Sequence, residues 1–130
     1  MMAREPIVFF DVDGTLLDDN MQLPSSTKRA IDQLQARGVR VVIATGRAPG
    51  LFPSLREQLG VYSYVSCNGS YVVYDGQVVY KRTFDPVLLA QLLARATERH
   101  HAMIFADDEK MWVSVDGDRY VQAAMNDLAQ

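Results

Sequence analysis

Asp11 and Asp13 stand two residues apart, directly after the apolar run IVFF and directly before Gly14 and Thr15. Two more polar turns follow apolar runs of the same kind: Thr45-Gly46-Arg47 after VRVVIA, and Cys67-Asn68-Gly69-Ser70 after residues 61–66. Together they offer carboxylates, a hydroxyl, an amide and loop N–H groups, the set of groups that can surround a phosphate. Asp11 and a phosphate ester repel each other, since two unit charges at roughly 4 Å and an effective dielectric near 20 interact by about 4 kcal/mol. A bridging divalent cation removes that obstacle. Mg²⁺ suits the task because it takes hard oxygen ligands and keeps waters and substrate phosphate in its shell. A carboxylate that attacks phosphorus gives an aspartyl-phosphate and splits hydrolysis into two steps. If the strand conformation persists through residue 13, both carboxylates project to one side. Asp13 could then protonate the leaving alkoxide and later deprotonate the attacking water, while Gly14 lets the backbone turn closely past them.

These groups need elements that bring them to one place. Residues 7–10 are apolar, β-branched or aromatic, and read as a strand buried on both faces. A loop with four acids follows, and Ser25 or Ser26 can cap a helix to Arg37 whose apolar face carries Ala30, Ile31 and Leu34. Gly38 occupies the left-handed position that ends such a helix. Residues 39–44 predict a second strand. A helix with Leu51, Leu55 and Leu59 on one face follows, then a third strand at 61–66. Strand, helix, strand, helix, strand is a parallel α/β pattern with right-handed crossovers. Ligands bind beyond the carboxyl ends of strands in such sheets, and that is where all three polar turns fall.

After residue 70 the pattern changes. YVVYDGQVVY sets Asp75-Gly76 between two β-rich runs, a strong two-residue hairpin signal. Asp85-Pro86 opens a helix with Leu88, Leu89, Leu92, Leu93 and Ala96 on its apolar side. Residues 102–106 and 111–115 predict two strands around a charged turn, and a last amphipathic stretch carries Val121, Ala124, Met125 and Leu128. The change of pattern puts a division near residues 81–84.

D-V-D-G-T at 11–15, after four apolar residues, resembles the first motif of haloacid dehalogenase-like phosphatases. The continuation T-L-L-D, then A-T-G-R at 44–47 and N-G at 68–69, is similar to the Cof-type sugar-phosphatase branch. The resemblance spans essentially the whole chain. It implies a Mg²⁺-dependent phosphatase of sugar phosphates or similar small metabolites, with a partial Rossmann-like parallel core over 1–82 and the start of an α/β cap over 83–130. It implies Asp11 as nucleophile and metal ligand, and Asp13 as acid/base that also binds Mg²⁺ through its backbone carbonyl. Thr45 matches the residue that hydrogen-bonds the phosphoryl group. Gly46, Arg47, Asn68 and Gly69 match positions that line the substrate side. The Lys and the G-D-x-x-N-D metal segment of the family are not recognisable in these 130 residues. Asn126-Asp127 lacks the preceding Gly-Asp and reads as helix surface. The chain therefore looks like a truncated member, expected to have little phosphatase activity alone and to self-associate through an exposed sheet edge and cap face.

Composition narrows the remaining classes. The net charge of -3 provides no basic field for nucleic acid. Cys67 is the only cysteine, so no internal disulfide forms, and a reduced, cytoplasmic setting is the natural reading. The apolar run 7–10 is too short for a signal-peptide core or a membrane span. His100 and His101 are adjacent and do not face one another at a helix end, so they read as surface residues. Asp18 and Asp19 read as solvated loop acids, and Asp107, Asp108 and Glu109 as a charged turn. Cys67 reads as a small buried filler, with Met111 and Trp112 packing in the partial cap. Two other functions fit parts of the pattern: a phospho-acceptor signalling module, and an inactive structural fragment. The first is disfavoured because receivers normally phosphorylate an Asp at the end of a central strand, and because the DG hairpin breaks strand–helix alternation.

Overall fold

The structure, a computed structural model, describes residues 4–128. Five strands form one mixed sheet in the order β1 (Ile7–Phe10), β2 (Arg40–Ala44), β3 (Tyr64–Ser66), β4 (Tyr71–Tyr74) and β5 (Gln77–Lys81). β1, β2 and β3 run parallel, as the strand–helix alternation predicts, and β4 and β5 return antiparallel. The β4–β5 connection is the expected two-residue turn, with Asp75 at φ 47° and Gly76 at φ 76°. Positive φ at both central residues gives the turn the twist that antiparallel strands require.

Helices α1 (Ser25–Ala36) and α2 (Pro53–Leu59) cover one face of the parallel strands. Val41 and Ile43, alternate residues of β2, meet Ile31 of α1 and Leu55 and Leu59 of α2 in the core. Val12, Leu16, Phe52 and Val61 complete that cluster. Each such side chain, taken from water, contributes about 1.5–3 kcal/mol before chain entropy is counted.

Several expectations are corrected here. β1 is not buried on both faces: Ile7 is 47% and Phe9 60% exposed, while Val8 and Phe10, on the other face, are half-buried. Pro24, in extended conformation, precedes the first turn of α1, and no serine side chain caps it. Ala30 lies on the exposed side of that helix, and Leu51 belongs to a short turn before α2.

Beyond Lys81, α3 (Pro86–Glu98), β6 (Ile104–Ala106), β7 (Met111–Val113) and α4 (Arg119–Leu128) follow, β6 and β7 pairing antiparallel as a separate two-stranded sheet. Asp85 caps α3 by accepting from the Val87 and Leu88 N–H groups at 2.8 and 3.1 Å. The leucine face of α3 is largely uncovered, with Leu88, Leu92 and Leu93 exposed and only Leu89 and Ala96 half-buried. Trp112, expected in a packed cap, is 57% exposed. No helix among the described residues is long and apolar enough to cross a membrane.

Candidate active site

Parallel pairing places the three polar turns on one rim. Phe10 pairs with Ile43 and Ala44 with Val65, so the chain leaves β1, β2 and β3 at the same edge. Asp11 is the first residue past β1, extended at φ -70° and ψ 157°, exposed, and its side chain makes no capping bond to the turn it opens. In that turn Val12 and Leu16 are buried to 0% and 1% exposure. These two apolar anchors hold the backbone down and turn Asp13, Gly14 and Thr15 outward. The Leu17 N–H closes the turn on the Val12 carbonyl at 3.1 Å, and Gly14 sits at φ 75°, where a Cβ is costly.

The second turn is tied to the first through a side chain. Arg47 donates from Nε to Asp13 Oδ2 at 3.1 Å and from Nη2 to Asp13 Oδ1 at 2.6 Å. The Arg47 side chain is 6% exposed and that of Asp13 51%, so the cation is the fixed partner and the carboxylate faces outward. Thr45 is buried, and its Oγ1 accepts the Arg47 N–H at 3.1 Å. That bond holds the turn and leaves the hydroxyl proton free to be donated elsewhere.

The third turn is zipped to the second by backbone. Thr45 N–H donates to the Val65 carbonyl at 2.9 Å, Cys67 N–H to the Arg47 carbonyl at 3.0 Å, and Asn68 N–H to the Thr45 carbonyl at 3.3 Å. Cys67 and Asn68 are both left-handed, at φ 49° and 53°. Non-glycine residues in that region cost of order 1–3 kcal/mol each, which such bonds must offset. Gly46 lies close under Asn68: a Cβ there would lie 2.9 Å from Asn68 Oδ1. Burial pushes the Cys67 thiol above its ordinary value, opposite to what a reactive thiol needs.

Asp13, Thr45, Gly46, Arg47, Asn68 and Gly69 are thus linked through bonds or direct chain neighbours, and Asp11 opens the same rim. Sequence reasoning named all of these residues but did not anticipate that Arg47 bonds Asp13. The only available signal was that both follow adjacent parallel strands. Asp18 organises its own loop, accepting the Asn20 and Gln22 N–H groups, both at 2.9 Å. His100, His101, Asn126 and Asp127 are exposed. The Asp107–Lys110 turn, from the second half of the chain, reaches back to the first: a Cβ on Gly50 would lie 2.8 Å from the Glu109 carbonyl oxygen, and Tyr71 donates to Asp108 at 3.3 Å.

Known proteins resemble this chain in sequence and fold. A family model described as haloacid dehalogenase-like hydrolase matches residues 8–129. The Bacillus subtilis (strain 168) protein named "Putative phosphatase YkrA" is 35% identical over 122 residues, 94% of this chain and 48% of that protein. The crystal structure of a hypothetical protein from Geobacillus kaustophilus HTA426 superposes with a TM-score of 0.90 at 44% identity, over 98% of this chain and 50% of the other. The subclass IIB sugar phosphatase BT4131 superposes with a TM-score of 0.79 at 26% identity, over 95% and 49%. The chain spans about half the length of each of these relatives. With a family match that runs from β1 into α4 and takes in all three rim turns, the chain belongs to the haloacid dehalogenase-like hydrolases.

Proposed function

We propose that this chain carries the nucleophile-bearing part of a Mg²⁺-dependent phosphomonoester hydrolase acting on sugar phosphates or similar small metabolites. One observation carries the reading: a free-standing carboxylate, Asp11, opens the rim on which Arg47 ties down a second carboxylate, Asp13. Family membership supports it, as do relatives named as phosphatases, one of them a sugar phosphatase. On this reading residues 1–82 are the partial core and 83–130 the partial cap.

The Asp11 carboxylate oxygen attacks phosphorus, and the bond from phosphorus to the ester oxygen breaks. Asp13, an ion-paired carboxylate in the free chain, enters this step protonated, each oxygen still able to accept from Arg47, and the leaving alkoxide takes that proton. Asp13, now a carboxylate, takes a proton from water, whose oxygen attacks the same phosphorus and releases phosphate and the Asp11 carboxylate. Thr45 donates its hydroxyl to the phosphoryl oxygens, and Gly46, Asn68 and Gly69 border the rest of the substrate.

The residues present supply part of a Mg²⁺ shell. Asp11 makes no capping bond, and the Asp13 main-chain carbonyl lies two residues on, but no group of three metal-binding side chains occurs among the described residues. That fits an ion which keeps waters and takes phosphate oxygens as ligands, rather than an all-protein cage. Asp11 and the Asp13 carbonyl would hold it. When bound, it would screen the repulsion between carboxylate and phosphate.

The test is acid-quenched mass spectrometry after incubation with a phosphoester and Mg²⁺, beside steady-state turnover. A phosphoryl adduct on the Asp11 peptide is expected even though turnover by this chain alone is expected to be slight, and it is absent in Asp11→Asn. Turnover of equal rate in Asp11→Asn would overturn the reading. The signalling alternative gains nothing from the structure, because Asp11 ends the outermost strand of the described sheet.

A further inference from the structure

Arg47 is held at its backbone and along one edge of its guanidinium. Its backbone N–H donates to Thr45 Oγ1 at 3.1 Å, and its carbonyl accepts the Cys67 N–H at 3.0 Å. Ala48 and Pro49, next in the chain, are buried. The side chain is 6% exposed, and two of its nitrogens bond the two oxygens of one carboxylate. A planar guanidinium that grips both oxygens fixes the plane of a carboxylate as well as its distance, which a point charge cannot do.

Asp13 needs such help. Its backbone is extended within a turn, at φ -74° and ψ 118°, belongs to no strand of the sheet, and the next residue is a left-handed glycine. No regular element fixes its side chain, which is half exposed. For a group that must give a proton to one oxygen and take one from another, misplacement by about an ångström can reduce the rate by about 10²-fold.

We propose that Arg47 is the positioning residue for Asp13, a buried fork that sets the direction of the carboxylate, and not a ligand of the substrate. The proposal rests on the proton-transfer role given to Asp13 above. Nε and Nη2 are engaged on Asp13, so one of the two edges by which a guanidinium can grip an oxyanion is already occupied.

The experiment compares Arg47→Gln, Arg47→Lys, Asp13→Asn and the double variant Asp13→Asn/Arg47→Gln. It measures kcat/KM for two esters with Mg²⁺: glycerol phosphate, whose alkoxide needs a proton to leave, and p-nitrophenyl phosphate, whose leaving group departs with little help. Arg47→Gln is expected to lower kcat/KM for glycerol phosphate by about 10- to 100-fold and to lower it much less for the nitrophenyl ester. Arg47→Lys, which keeps the charge and loses the fork, falls between. In the Asp13→Asn background Arg47→Gln adds nothing, because a positioning residue has no effect once the group it positions is gone. Equal losses on both esters, or a further loss in the double variant, would overturn the proposal and make Arg47 a phosphoryl ligand or a purely structural residue. Turnover that survives Asp11→Asn sinks the reading of Asp11 as nucleophile instead, and leaves the second measurement to judge the fork.

That measurement needs no turnover, and it decides the matter if the chain hydrolyses neither ester. The Arg47 side-chain Nε–H, followed by ¹⁵N NMR, is expected to exchange slowly with water and to exchange about tenfold or more faster in Asp13→Asn. Fast exchange in the unaltered chain, or the same rate in both, would remove the fork and the proposal with it.

Discussion

Gly46 and Asn68, on neighbouring turns, interlock: the space a Cβ would take on Gly46 is filled to within 2.9 Å by Asn68 Oδ1. The atom in the way is the end of a side chain, and the Asn68 backbone is fixed separately by its bond to the Thr45 carbonyl. Gly46→Ala is therefore expected to turn the Asn68 amide aside without unfolding the domain. Thermal denaturation should show a loss within about 1 kcal/mol, as for substitutions outside the core. The Asn68 side-chain NH₂ resonances should move by NMR. In an Asn68→Ala background the same substitution should have a smaller effect, and simple additivity of the two changes would refute the interlock.

Thr45 has a structural task besides the one proposed for it. Its buried Oγ1 satisfies the Arg47 N–H. Thr45→Val keeps the shape and leaves that donor without its acceptor, at an expected loss of about 1–3 kcal/mol in urea denaturation. Thr45→Ser keeps the oxygen and should retain most of that stability. A valine variant as stable as the unaltered chain would show that the bond contributes nothing to the fold.

Which parts of this arrangement the sequence reveals depends on how local their causes are. The Asp75-Gly76 turn was legible because two residues with positive φ are enough to set it. The common rim was legible because parallel strands joined by helices end on one side. Ile7 and Phe9 were misjudged because an apolar run marks a strand but does not say which faces other elements will cover. Ser25 was a fair cap by type, yet Pro24 holds the extended position before the helix with no need of a side-chain bond. The Arg47 fork was not legible at all. It joins residues 34 positions apart, and its geometry exists only once both turns are anchored, Val12 and Leu16 on one side and Thr45 on the other.

The Asp107–Lys110 turn carries a pH dependence of known sign. The Lys110 N–H, and after it the Glu109 N–H, donate to the Asp107 carboxylate at 2.6 and 2.8 Å and hold its pKa below the ordinary 3.8. A carboxyl group with a depressed folded-state pKa contributes stability fully above 3.8, and that contribution is lost as the pH falls through the folded-state value. Trp112 is the only tryptophan and stands on β7 just past this turn. Its fluorescence should report an acid transition with a midpoint below 3.8 that Asp107→Asn abolishes. A midpoint above that value, or one unchanged in the variant, would assign the transition elsewhere.

The uncovered leucines of α3 predict how the chain behaves as concentration rises. Leu88 and Leu92, one helical turn apart, are 45% and 39% exposed, and Leu93 is 39% exposed beside them. Covering a leucine fully contributes about 1.5–3 kcal/mol, so these partly open side chains favour a second copy of the chain over water when copies are abundant. Leu89 and Ala96, the half-buried members of the same helix, serve the fold. Leu88→Glu with Leu92→Glu should therefore abolish association while leaving the circular dichroism melt in place. Sedimentation velocity across a concentration series checks both halves of the expectation. A chain that stays monomeric throughout, or one whose association survives the two glutamates, would show that this face is content in water.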